Sequence, residues 1–163
     1  MSSYAAATDA IARIVEGGGE ADEVLRDVVR ALVEAVDQYV WAGIYFVENG
    51  ELALGPWQGS GRAVQGRIPI GRGVCGGVAA RGETRVVDEV AADAAGVPGT
   101  TGAEIAVPIT WQGSVIGVID VATAGSARLT SDDRAFLELV AERISPHCLV
   151  GWDTGGLPWD EVS

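Results

Sequence analysis

Twice in this chain an apolar, β-branched run is followed by a two-residue turn and a second apolar run, and that arrangement leaves few folds open. Residues 39–47 hold Tyr39, Val40, Trp41, Ile44, Tyr45, Phe46 and Val47, then Asn49-Gly50 intervenes, and residues 51–54 return. Asn-Gly readily takes the positive φ angles of a tight hairpin turn, so the two runs are read as paired strands. The pattern recurs over residues 104–111, Gln112-Gly113 and 114–122. A two-residue connection can join only antiparallel neighbours, which demands a sheet built from two hairpins. Pro108 within the third run cannot donate to a ladder and predicts an edge position or a bulge. Shorter strands are predicted at 67–70 and 85–87.

Helices fill the remaining lengths. In residues 20–37, Val24, Leu25, Val28, Val29, Leu32, Val33 and Val36 recur at spacings of three and four, with Glu20 and Asp22 where a helix dipole favours anions. A first helix at 4–16 ends at Gly17-Gly18-Gly19, because glycine loses the most backbone entropy in a helix. Gly71 to Ala80 reads as a glycine-rich turn into a short helix. Thr130 caps a last helix, with Asp133 three residues on as an imperfect capping box; Phe136, Leu137, Leu139, Val140 and Ile144 form its buried face, and Pro146 is expected to stop it. The order is α+β. At 163 residues one domain spanning 1–163 is expected, with a tail at 146–163 whose Trp152 and Trp159 should fold back onto the domain. Residues 89–103 form the longest irregular stretch and are a candidate lid.

Composition excludes several functions. The 11 basic residues are all arginine against 23 acidic ones, a net charge of -12. Without lysine there is no phosphate-loop lysine and no Schiff base. The charge repels phosphate backbones and the arginines are scattered from Arg13 to Arg143, so nucleic acid is not an expected partner. One histidine, His147, and two cysteines, Cys75 and Cys148, cannot supply a tetrahedral zinc site, and no metal or cofactor is predicted. The opening MSSYAAATDA has neither a basic nor an apolar leader region, and no apolar run reaches the ~20 residues of a membrane span. The expectation is a soluble cytoplasmic protein with two free thiols, pairing of the two cysteines being the alternative.

Few residues remain that can carry chemistry. Gly71-Arg72-Gly73-Val74-Cys75-Gly76 matches G-x-G-x-x-G, but the helix after it has only about six residues before Gly82, too short for a dinucleotide-binding unit. Cys75 lies in the first turn of that helix beside Arg72, where the thiolate is favoured; a small buried apolar residue is the alternative. Cys148 is read as structural or incidental. Glu104 and Asp120 are carboxylates in strands otherwise made of Ile, Val, Ala and Pro. They could face one another across the hairpin's open end and bind an ammonium group, or each could end in water. Trp41 and Tyr45, four residues apart on one strand, share a face and could be core or the wall of an amino-acid pocket.

The stretches VWAGIYFVENGELALGPWQG, RIPIGRGVCGGVAA, GAEIAVPI and IGVIDVA, in this order, resemble the GAF-domain family of free methionine-(R)-sulfoxide reductases over roughly residues 20–145. The resemblance implies a GAF-like six-stranded antiparallel sheet with helices on one face and a ligand pocket on the other, and frequently a homodimer. It implies that Trp41 and Tyr45 enclose the methyl sulfoxide end of a substrate, while Glu104 and Asp120 bind its polar groups and promote reduction. Of the family's three cysteines only Cys75 is present. Gln65 stands where a second is expected before the RIP strand, Val97 or its neighbours stand where the third would be, and Ala122 replaces a second acid of the IDVA strand.

Sulfoxide reduction needs one thiolate to take the oxygen and another thiol to resolve the sulfenic acid. With one pocket cysteine, Cys148 must substitute, an external thiol must resolve, or the pocket does something else. The sequence therefore favours a small-molecule pocket protein of the reductase lineage, repurposed to another amino-acid-like substrate. The alternatives are a residual thiol-dependent reductase using Cys75 and a non-catalytic ligand or redox sensor. Cys75, Glu104 and Asp120 are the candidate catalytic residues; Trp41, Tyr45, Gln65 and Val97, with the two acids, are the candidate ligand contacts.

Overall fold

A computed structural model describes residues 2–60, 65–88, 102–124 and 127–149. Val97, most of the candidate lid, and Trp152 and Trp159 of the tail lie outside them. Two helices come first, α1 (Ser2–Glu16) and α2 (Ala21–Ala35), followed by strands β1 (Tyr39–Glu48), β2 (Glu51–Gly59) and β3 (Arg67–Pro69). Helix α3 (Gly73–Arg81), strands β4 (Arg85–Val87), β5 (Glu104–Trp111) and β6 (Ser114–Thr123), helix α4 (Ser131–Ile144) and a 3₁₀ turn (Ser145–Cys148) complete the described chain. The six strands form one sheet in the order β3-β2-β1-β6-β5-β4, antiparallel at every pairing.

Both predicted hairpins form. Asn49 and Gly50 take φ of 51° and 81°, and Gln112 and Gly113 take 50° and 84°, the left-handed pair that matches strand twist. Arg67 draws the first turn together, reaching Glu48 at 3.0 Å and Glu51 at 3.7 Å. β2 runs to Gly59 rather than ending at Leu54. Pairing with β1 resumes past an irregularity, with Gly43 opposite Trp57 and Trp41 opposite Gly59. Pro108 satisfies its constraint because β4 pairs only with residues 104–106 of β5, leaving the edge at Pro108 open, and the ladder is irregular just beyond it.

The sheet separates two cores. On one face α2 buries Val24, Leu25, Val28, Val29 and Leu32 against Ala42, Ile44 and Phe46 of β1, with α1 and α4 beside it. Each such side chain contributes about 1.5–3 kcal/mol of transfer free energy. On the opposite face α3 packs through Cys75 and Val78 with Trp41, Tyr45, Ala106 and Val118, so the expectation of helices on one face holds for α1, α2 and α4 but not for α3. As expected at Pro146, helix α4 ends at Ile144, and the chain passes into the 3₁₀ turn. Pro146 sits in the first turn of the 3₁₀ segment, where its missing N–H costs nothing.

The capping box of α4 is complete and is part of a larger network. Asp133 is fully buried; its Oδ2 accepts from the Thr130 N–H (2.8 Å) and hydroxyl (3.1 Å). Its Oδ1 accepts from the hydroxyls of Tyr4 and Tyr39, the latter at 2.6 Å, and from Gln38 Nε2 at 3.1 Å. Burial pushes the carboxyl up, but the Tyr39, Tyr4 and Thr130 hydrogen bonds outweigh it and hold Asp133 below the ordinary aspartate value. Burial, and then Asp133 itself, raise both tyrosines, which remain protonated donors. One carboxylate thus ties α1, β1 and α4 together.

Candidate functional site

Strand register assembles the site. Across β1 and β6, Trp41 is opposite Ala122, Gly43 opposite Asp120 and Tyr45 opposite Val118. Across β5 and β6, Glu104 is opposite Ala122 and Ala106 opposite Asp120. Opposed residues project to the same side of a sheet, so Trp41, Tyr45, Glu104 and Asp120 share the face that α3 covers. Glu104 and Asp120 are diagonal neighbours rather than directly opposed. Neither ends in water, for their exposures are 3% and 0%.

Helix α3 brings the thiol to the acids. Its first turn follows β3 through a tight loop in which Gly71 N–H donates to the Gly76 carbonyl at 2.8 Å. A Cβ at Gly76 would lie 2.6 Å from the Pro69 carbonyl oxygen, so the G-x-G-x-x-G pattern serves close packing of α3 on β3 rather than phosphate. Cys75 is buried, its Sγ 4.0 Å from Glu104 Oε2. The donor atoms of Cys75, Glu104 and Asp120 lie within 4.8 Å of one another. Arg72, the expected neighbour of the thiol, is exposed, which leaves the positive end of α3 as the nearer influence.

A buried carboxylate costs several kcal/mol unless a proton or a cation compensates it. The two carboxylates, placed this close together, offer acceptor oxygens that suit an ammonium group. The same set of one soft and two hard donors could also ligate a divalent cation. Trp41 and Tyr45, at 0% and 1% exposure, supply aromatic faces to the same cluster. Gln65 is half-buried in the segment leading to β3; it makes no hydrogen bond to the acids or the thiol among the described residues.

Cys148 is remote from this chemistry. It belongs to the core on the opposite face of the sheet, and burial pushes its thiol up to about 12. It cannot substitute for a missing pocket cysteine without rearrangement of the fold. Neither cysteine forms a disulfide. A separate groove of about 530 Å³ runs between β5 and α4, bordered by Pro108, Trp111, Glu138 and Glu142, and shares no residue with the cluster.

Sequence reasoning missed Trp57. Its ring stacks on Trp41 with centroids 6.3 Å apart and planes 19° from parallel, an arrangement visible only once β2 is known to continue past Pro56. No helix among the described residues is long and apolar enough to cross a membrane.

The sequence matches the GAF domain family over residues 19–146. It is 37% identical over 119 residues to the free methionine-R-sulfoxide reductase of Escherichia coli, covering 68% of each chain. The free methionine-R-sulfoxide reductase of Neisseria meningitidis, solved in complex with its substrate, superposes with a TM-score of 0.78 at 30% identity, covering 88% of this chain and 89% of that one. The fRMsr of Staphylococcus aureus, also in complex with substrate, gives 0.76 at 30% identity over 88% and 94%.

Proposed function

The chain belongs to the GAF-domain family and is homologous to free methionine-R-sulfoxide reductases; from that premise we propose that it binds a free amino acid bearing a sulfoxide and reduces it with one thiol. The observation that supports this most is the convergence of Cys75, Glu104 and Asp120, donor atoms within 4.8 Å, beside Trp41 and Tyr45. In this reading the carboxylates take the ammonium group and deliver a proton to the sulfoxide oxygen, while the aromatic rings hold the methyl end.

The Cys75 thiolate attacks the sulfoxide sulfur, the oxygen is transferred to Cys75 with the proton from an acid, and the sulfide leaves with Cys75 as sulfenic acid. An external thiol then condenses with the sulfenic acid, releasing water and forming a mixed disulfide; a second external thiol frees Cys75 and leaves as a disulfide. The external thiol is required because Cys148 lies across the sheet. A small-molecule substrate is the one partner this cycle needs, besides its reductant.

A second reading, binding without turnover as a ligand or redox sensor, is favoured by the presence of Cys75 alone among the family's three cysteines. Titration of free methionine-(R)-sulfoxide by calorimetry, together with its dithiothreitol-dependent consumption, separates the two. Glu104→Gln loses binding under both. Cys75→Ser retains binding and loses turnover if the thiol acts. Turnover that survives Cys75→Ser overturns the thiol mechanism in favour of acid and base work by Glu104 and Asp120 on another substrate.

A further inference from the structure

Trp41 is fully buried, while the ring stacked on it, Trp57, is 37% exposed. The register explains the contact: Trp41 faces Gly59 and Gly43 faces Trp57, making the two tryptophans diagonal neighbours on the pocket face, a separation that large aromatic rings bridge. The position between them is empty of side chain. A Cβ at Gly43 would lie 2.9 Å from Trp41 Cζ3 and nearer still to Cη2, so the Trp41 indole lies flat over Gly43, a seat that only glycine offers. With glycine on one side and a parallel indole on another, the Trp41 ring has little freedom to turn.

We propose that Trp57 is a positioning residue, which clamps the Trp41 indole over Gly43 and thereby sets how tightly the aromatic wall grips the apolar, sulfur-bearing end of a ligand. The inference rests on the reading of Trp41 as a ligand wall. An indole left one-third in water is expensive cover for a core that a smaller apolar residue could close. Its orientation is what the stack supplies: near-parallel rings at this separation hold one another in a defined offset. Trp57 acts through Trp41, so its effect belongs to binding more than to the chemical step.

The test compares the full-length wild type with Trp57→Ala, Trp57→Phe and Trp57→Leu. Two stacked indoles give an exciton couplet in far-ultraviolet circular dichroism, which reports the pair before any ligand is added. Trp57→Ala and Trp57→Leu are expected to lose the couplet and to weaken binding of free methionine-(R)-sulfoxide about two- to tenfold, the range of an aromatic pair, with the loss in KM exceeding that in kcat. Trp57→Phe, which restores a ring face, recovers most of the affinity. Trp57→Leu carries the comparison if the alanine variant does not fold. Unchanged affinity in both the alanine and leucine variants, or a loss confined to kcat, overturns the proposal. If the wild type neither binds nor reduces the sulfoxide, the functional reading falls, and the clamp is decided by the Trp41 indole N–H resonance, identified through Trp41→Phe. A single sharp line in the wild type that broadens or splits in Trp57→Ala supports the clamp, and an unaltered line refutes it.

Discussion

Replacing Asp133 by alanine should cost about 3 kcal/mol, and the figure can be built from its partners. Tyr39 is 1% exposed, so its hydroxyl, which donates to Asp133 at 2.6 Å, would be stranded away from water at a cost of about 1–3 kcal/mol. The bonds from the Thr130 N–H and hydroxyl to Oδ2 would also go, and the loss of half a capping box is worth ~1 kcal/mol. Tyr4 and Gln38 are only half-buried and can turn to water, adding little. For a chain of this length such a loss lowers Tm by roughly 10 °C, readable by thermal and urea unfolding. The mechanism makes a sharper demand: adding Tyr39→Phe to Asp133→Ala removes the stranded hydroxyl and should recover stability. An Asp133→Ala variant within about 1 kcal/mol of wild type, or a double variant less stable than the single, would refute the account. Because folding lowers the Asp133 pKa, this stability is fully present above the ordinary aspartate value and disappears as pH falls through the lower folded value.

Other consequences are simpler to check. Gln112 holds a φ of 50° that glycine adopts without strain, so Gln112→Gly should raise stability by about 0.5–1 kcal/mol in urea unfolding, with activity unaffected. Burial pushes the Cys148 thiol up to about 12; iodoacetamide at neutral pH should leave it unmodified in the folded protein, as judged by peptide mass spectrometry, and label it once urea unfolds the chain. The proposed thiol cycle needs no metal, so sulfoxide turnover should withstand a strong chelator. Loss of turnover with chelator and its return with zinc would instead make Cys75, Glu104 and Asp120 metal ligands.

Local signals located the elements well. The hairpins over Asn49-Gly50 and Gln112-Gly113 and the long apolar stripe of α2 follow from periodicities that need no tertiary partner. The end of β2 was not legible, because Gly55 and Pro56 interrupt a strand that the irregular pairing with β1 restores. The shared face of Trp41 and Tyr45 followed from alternation alone. The approach of Cys75 to the acids did not, since it depends on α3 crossing the sheet, which no local pattern encodes. Asp133 was legible as a cap, but its donors Tyr4 and Tyr39 lie 129 and 94 residues away in sequence, a distance that only the packing of α1 and β1 against α4 removes. If Gln65 and Val97 are ligand contacts, substituting each by alanine weakens binding in the calorimetric titration.

The central claim is that Cys75 takes oxygen from a sulfoxide. Reduced protein mixed with free methionine-(R)-sulfoxide in the absence of other thiols should release methionine in amount equal to the protein and then stop, with Cys75 trapped by dimedone as a sulfenic acid and Cys148 unmodified. Methionine release that is absent in the wild type, or undiminished in Cys75→Ser, would contradict the account.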